Sequence, residues 1–257
     1  MPVRPLDLNC DVGEAETAEN RSQERDILAF VTSINVACGG HAGSPAEIRR
    51  VLEAAVPLGI AIGAHPGFPD RASHGRREQT WTASSIRELI FSQLELLRSI
   101  GRDVGAVLSH VKPHGALYNM AARDGFLAAA IAAAVHDVDP LLILVGLAGS
   151  ELIQAGAAHG LRVASEGFVD RAYGSDGTLV PRNQAGAVLT DERAIVQQAT
   201  ALALDGVITT AGGTICPLRI DTLCLHGDTP GSRNLARVVH SALTAVGITL
   251  RRIDHVV

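Results

Sequence analysis

The stretch SINVACGGHAGSPAEIRRVLEAAVPLGIAIGAH, Ser33–His65, contains the unit from which the rest of the chain is built. Ser33–Cys38 is a short, mostly apolar run and reads as a strand. Ser44-Pro45-Ala46-Glu47 is a capping box with proline at the first helical position, so a helix starts there. Ile48, Val51, Leu52 and Ala55 continue it at helical spacing. Ile60–His65 is a second apolar run. Two strands joined through a helix run parallel, and their carboxyl ends face the same way.

The alternation extends in both directions. Further strands are expected near Val3–Cys10, Ala106–Lys112, Leu141–Gly146, Arg162–Glu166, Asp221–His226 and Ile248–Ile253. Ile86, Leu89, Ile90, Leu94 and Leu97 mark another amphipathic helix, and Thr229-Pro230 has the form of a second helix start. No linker, low-complexity segment or composition break interrupts the pattern, so residues 1–257 read as one α/β domain. Seven or eight such units favour a TIM-like (β/α) barrel, with an open doubly wound sheet as the rival that periodicity does not separate. Two connections exceed ordinary turns, from His65 to about Trp81 and from Gly167 to about Leu189; both follow strands, where βα loops build active sites.

Composition narrows the function. A hydrophobic content of 47% with only 3% aromatic suits helices packed on aliphatic strands. A net charge of -5 without a basic run argues against nucleic-acid binding. The longest apolar run, Phe126–Val135, is too short to span a membrane, and the N-terminal stretch meets acidic residues before any signal-like segment. Cys10, Cys38, Cys216 and Cys224 form no CxxC pair and read as reduced thiols of a cytoplasmic protein. Of 22 basic residues only one, Lys112, is lysine.

Strand alternation then sorts the polar residues. Asp7, Asn9 and Asp11 share a face opposite Leu6, Leu8 and Cys10. His110, Lys112 and His114 align, as do Cys224, His226 and Asp228, while other strands end towards Asn35 and His41, His65, and Glu166. In a parallel barrel such ends surround one mouth. Asp7 or Asp11, close to Asn9, can act as a general base with His65 or His114 as its partner. Lys112 offers a fixed positive charge for a carboxylate, phosphate or oxyanion. The Gly39-Gly40-His41-Ala42-Gly43 backbone either cradles an anion or simply turns the chain. Arg76, Arg171 and Arg182 are anion contacts or solvated surface residues. Asp11, His41, His65 and His114 are the donors for a divalent metal if one is bound, with zinc, manganese or iron suiting that set, although no HxH or HExxH spacing fixes a geometry. There is no GxxxxGK[ST] phosphate loop and no GxSxG nucleophile elbow.

The same segments resemble the LamB/YcsF family: DLNCDVGE (Asp7–Glu14), INVACGGHAG (Ile34–Gly43), GAHPGFPDR (Gly63–Arg71) with GRR (Gly75–Arg77), VKPHGALYN (Val111–Asn119), EGFVDRAYGSDGTLVPR (Glu166–Arg182) and CLHGDTP (Cys224–Pro230). The resemblance spans nearly the whole chain in order. It implies a seven-stranded relative of the TIM barrel, similar to glycoside hydrolase/deacetylase barrels. It also implies ATP-dependent opening of the lactam 5-oxoproline to L-glutamate, as the A component of a 5-oxoprolinase working with partner subunits B and C. The missing phosphate loop motivates the expectation that the partners carry out ATP activation and this chain hydrolyses the activated lactam. A metal-dependent deacetylase or amidohydrolase, or a non-catalytic subunit that captures a small acid, are the alternative readings.

Overall fold

The computed structural model describes residues 4–225 and 231–257. Among the described residues nine strands and eight α-helices follow one another as β1 (Asp7–Val12), α1 (Ala18–Ile27), β2 (Ser33–Ala37), α2 (Pro45–Ala55), β3 (Ala61–His65), α3 (Ala83–Val104), β4 (Leu108–Val111), α4 (Gly115–Ala121), α5 (Gly125–Val138), β5 (Ile143–Leu147), α6 (Glu151–Ala158), β6 (Arg162–Phe168), α7 (Glu192–Leu204), β7 (Val207–Thr209), β8 (Ile215–Pro217), β9 (Thr222–Leu225) and α8 (Ser232–Ala245). Seven of the strands close into a parallel barrel in the order β1-β2-β3-β4-β5-β6-β9, with the helices around it. A barrel has no sheet edge, and this closure excludes the open-sheet alternative.

Local chemistry sets the helix starts. Ser44 accepts a hydrogen bond from the Glu47 backbone N–H at 3.2 Å, and Pro45 opens α2 as the capping box requires. The Glu47 carboxylate does not return to the cap; it pairs with Arg21 and Arg50 instead. Asp124 caps α5 through the N–H groups of Phe126 and Leu127. The outward strand faces, such as Leu8, Cys10 and Val12 on β1 and Ile34 and Val36 on β2, are buried beneath the helices in the main apolar core.

The inward faces differ from side to side. Ala61, Ile143, Val145 and Ala164 form a small apolar cluster of their own, closed by Ile253. Other inward positions are polar: Asp7, Asn9, Ser33, Asn35, His110, Glu166 and Thr222 are all buried. Gly63 makes room for this packing, since a Cβ there would lie 2.1 Å from His110 Nε2.

Three expectations change. The first strand is displaced along the chain, so that it carries Asp11 within it. Ile248–Ile253 is not a strand: Leu250 makes a single bridge to Leu6, and Ile253–His255 forms a 3-10 turn. The physical reason is that β1 is already paired on both sides, with β2 and β9, leaving no edge to receive another strand. The antiparallel pair β7–β8 was not anticipated; it lies in the long crossover between β6 and β9. Thr229-Pro230, read as a helix start, lies outside the described residues, and α8 begins at Ser232. All four cysteines are free thiols. Among the described residues no helix is long and apolar enough to cross a membrane.

Candidate functional site

A cavity of about 620 Å³ opens at the carboxyl ends of the barrel strands. Its floor includes Asp11, Glu14, His65, Lys112 and His114, and its sides include Tyr118, Phe168, Arg76 and Arg182. The strands explain the floor: Asp11 is the last inward residue of β1, His65 ends β3, and Lys112 immediately follows β4. Parallel pairing sets Asp11 beside Asn35, and Asn35 beside Gly63.

Lys112 occupies the centre of a closed polar network. Its ammonium lies 3.0 Å from Asp11 Oδ1 and 2.9 Å from Glu166 Oε1, and donates to Cys224 Sγ at 3.0 Å. Asn9 Oδ1 adds a longer contact at 3.4 Å, so all three protons have acceptors, and the residue is only 2% exposed. Burial alone would favour the neutral amine, but the negative groups around it, Asp11 foremost, hold its pKa well above the ordinary lysine value. Burial pushes the Cys224 thiol well up, so the sulfur stays protonated. Asn9 donates to Glu166 at 3.0 Å and to Thr222 at 2.6 Å, and Asn35 donates to Asn9 and to Asp11, both at 2.8 Å. Tyr118 donates to the other Glu166 oxygen at 2.8 Å. This network fixes Asp11 from one side and leaves its Oδ2 towards His65, 3.4 Å from Nε2.

The histidines form a second cluster. His65 Nδ1 donates to the Lys112 carbonyl at 2.7 Å, and His114 Nε2 to the His74 carbonyl at 2.9 Å. The other nitrogens of the two rings face each other at 3.0 Å. His41 stacks on His114 with centroids 3.6 Å apart, and its Nε2 lies 3.0 Å from Glu14 Oε1. His74 Nε2 approaches Glu14 Oε2 at 2.9 Å. Burial would raise the Glu14 pKa, but His114 and the hydrogen bonds from His41 and His74 outweigh it and hold the carboxyl well below its usual range. Burial would lower His65, and the Asp11 carboxylate overcomes it, so His65 is raised. His114 is pushed well below the ordinary value by burial and by His41. Ligand atoms of Glu14, His41, His65 and His114 all lie within 4.8 Å of one another, close enough for members of this set to hold a metal ion.

Asp11, His65, Lys112 and His114 thus meet at one floor, with Asn9, Asn35 and Glu166 directly behind them. Asp7 does not join them. It starts β1, four residues before Asp11 and about 13 Å away at strand spacing, where Thr32, Ser33 and Thr222 donate to its carboxylate. Gly39 and Gly40 do not line the cavity either. The Gly39 N–H is bonded to Ala42, and a Cβ on Gly40 would lie 2.5 Å from the Gly67 carbonyl, so these glycines serve chain passage. His41 sits behind Glu14 rather than at the opening. Arg171 borders the cavity but is committed to the Ala187 and Val180 carbonyls, tying down the loop after β6; burial and Arg182 lower its pKa to about 10. His226 and Asp228 lie outside the described residues.

Glu14, His74 and Tyr118 were not among the sequence candidates. Glu14 lies beyond the end of β1, after Gly13 at φ 80°, where strand alternation no longer applies. Its signal was its place in the DVGE segment. His74 adopts φ 54°, the only non-glycine positive φ among the described residues, so its position follows from the loop fold.

Comparison with known proteins places this site in context. The chain is 47% identical over 249 residues to the A component of the 5-oxoprolinase of Geobacillus kaustophilus, with 97% of both chains covered. It is 46% identical to that of Bordetella pertussis, covering 96% of this chain and 98% of the relative. The crystal structure of the lactam utilization protein from Thermus thermophilus superposes with a TM-score of 0.88 at 39% identity, covering 96% of this chain and 99% of the other. A deacetylase termed T48, at 15% identity and a TM-score of 0.51 over 99% of this chain and 90% of the other, shares the fold alone. The LamB/YcsF profile matches residues 6–257, and with relatives this similar over their full length the chain belongs to the LamB/YcsF family.

Proposed function

We propose that this chain is the lactam-hydrolysing A component of a 5-oxoprolinase, acting on 5-oxoproline after ATP-dependent activation by partner subunits. The carrying observation is the pairing of Asp11 with His65 at the floor of a cavity whose rim bears Arg76 and Arg182. A five-membered lactam is a stable amide, so opening it requires an activated water and stabilisation of the tetrahedral oxyanion. Asp11, oriented by Lys112 and Asn35, is the base for that water. His65 and His114 relay the proton to the ring nitrogen as the C–N bond breaks. Breaking the C–N bond of the phosphorylated lactam frees the amine and leaves a γ-glutamyl phosphate, and a second water releases the phosphoryl group as inorganic phosphate, so glutamate and phosphate are the products.

The charges divide in a corresponding way. All three Lys112 protons are engaged by protein acceptors, so its effect on the reaction passes through Asp11 and Glu166. The substrate carboxylate and any phosphoryl group are left to the rim arginines. The relatives' names support the lactam as substrate, and the lack of a phosphate-loop motif is the ground for proposing that partner subunits carry out the ATP activation.

The test is to incubate the chain with 5-oxoproline and ATP, alone and with both partners, and to measure glutamate and phosphate. Turnover only in the full mixture, abolished by Asp11→Asn in this chain, is the expected result. Full turnover by the chain alone removes the division of labour; full turnover with Asp11→Asn removes the catalytic assignment.

A further inference from the structure

We propose that Glu14, His65 and His114 form a binding site for a divalent transition-metal ion, zinc or manganese in class, on the floor of the barrel mouth. The starting point is where the ring protons must be. The Lys112 and His74 carbonyls can only accept, so a proton sits on His65 Nδ1 and another on His114 Nε2. In the neutral rings, His65 Nε2 and His114 Nδ1 then carry bare lone pairs, facing each other at 3.0 Å. Carboxylate oxygens add to this negative focus. Glu14 Oε1 lies 3.5 Å from His114 Nδ1 and 4.0 Å from His65 Nε2, and Asp11 Oδ2 lies 3.4 Å from His65 Nε2. Acceptors converging on one point without a donor repel one another, and a cation between them turns that repulsion into attraction.

The dimensions fit an ion. Edges of 3.0, 3.5 and 4.0 Å define a triangle whose corners can all lie about 2.1 Å from one central point, the length of a zinc–nitrogen or zinc–oxygen bond. The supporting contacts fit as well. Metal-bound imidazoles usually donate their second N–H to a carbonyl or carboxylate, and both rings already do so. Glu14 is held from behind: His41 approaches one oxygen and His74 the other. His41 Nδ1 is buried without a partner, which keeps that ring's proton on Nε2 towards Glu14 and makes His41 an orienting donor rather than a ligand. Three protein ligands on a cavity floor leave further coordination positions open to water or substrate. Asp11 is placed to receive the proton of such a water.

A proton shared by the two facing nitrogens is the competing occupant. It requires only the imidazoles, whereas the metal also requires Glu14, so substitution of Glu14 separates them. The full chain is stripped with chelator and titrated with Zn²⁺ by calorimetry and with Co²⁺ by visible absorption, with metal content measured after dialysis. We expect one ion per chain, a higher Tm with Zn²⁺, and at least a tenfold loss of affinity in both Glu14→Gln and His114→Gln. His240→Gln, on the outer helix α8, binds as the parent does. Glu14→Gln preserves shape, and a folded, non-binding variant of it sustains the proposal should His114→Gln fail to fold. Absence of saturable binding, or undiminished binding by folded Glu14→Gln, overturns the site and leaves the shared proton. These readouts involve neither lactam nor ATP, so their outcome is independent of the proposed reaction.

Discussion

Lys112 Nζ lies 2.9 Å from Glu166 Oε1, and both side chains are closed off from solvent inside the barrel. The single lysine of the chain is therefore an internal counter-ion to two carboxylates, Glu166 and Asp11, rather than a surface cation. A compact ammonium fits among Asp11, Glu166 and Cys224; a planar guanidinium does not have the same shape or reach.

Replacing Lys112 by arginine retains the charge but displaces Asp11. Misplacement of a reacting group by about 1 Å costs on the order of 100-fold in rate. We expect Lys112→Arg to lose about 10- to 100-fold in glutamate release by the reconstituted complex, with the fold preserved by circular dichroism. Lys112→Met, which leaves the buried carboxylates without their cation, is expected to lose about 3–5 kcal/mol of stability to urea. Near-normal turnover in the arginine variant would show that the shape of the cation is immaterial.

Asp11→Asn keeps the hydrogen-bonding outline while removing the base. General-base catalysis contributes about 10²–10⁴-fold, and that is the expected fall in kcat. Retained catalysis at the parent rate would move the base elsewhere on the cavity floor.

Asp7 gives a pH signature at the opposite end of the barrel. Burial, opposed by hydrogen bonds from Ser33, Thr222 and Thr32, raises its pKa from 3.8 to about 6. The folded state thus binds this proton more tightly than the unfolded chain does. Its contribution to stability is complete below about pH 4 and is lost as pH rises through about 6, an effect of up to about 3 kcal/mol. Asp7→Asn lacks this ionisation, so between pH 4 and pH 7 (approximate limits set by those two pKa values) the stability difference should move in the variant's favour. Parallel urea-denaturation profiles for the two proteins would contradict the raised pKa.

Gly40→Ala tests the part assigned to the glycine-rich segment. The new Cβ would press on the Gly67 carbonyl at 2.5 Å and on Gln93, which holds both the N–H and the C=O of Gly67. We expect a loss of about 1–3 kcal/mol, read as a lower Tm. An unchanged Tm would return Gly40 to the anion-cradle reading.

The sequence carried the barrel because apolar strands and capped helices obey local rules. Period-two alternation also brought Asp11, Lys112 and His65 to one floor, since those residues lie in strands or beside their ends. It failed in two identifiable ways. Alternation reports a face but not a depth, so Asp7 and Asp11 looked equivalent although they occupy opposite ends of β1. Nor does it extend into turns: Glu14 follows the glycine turn, and His74 depends on a left-handed backbone fixed by the surrounding loop. Tyr118 reaches Glu166 from helix α4, a contact between distant segments that no local pattern encodes.

The closure of the barrel also has a consequence for biosynthesis. β1 pairs with β9, and Ile253 completes the apolar cluster at the barrel's amino-terminal end. A ribosome makes β1 well before β9 and Ile253, so the polar interior assembled around Asn9, Asn35 and His110 stays unsealed until those elements have been made. Completion of the domain must follow synthesis of the C-terminal segment, and chaperone dependence should be greatest for nascent chains that stop short of it.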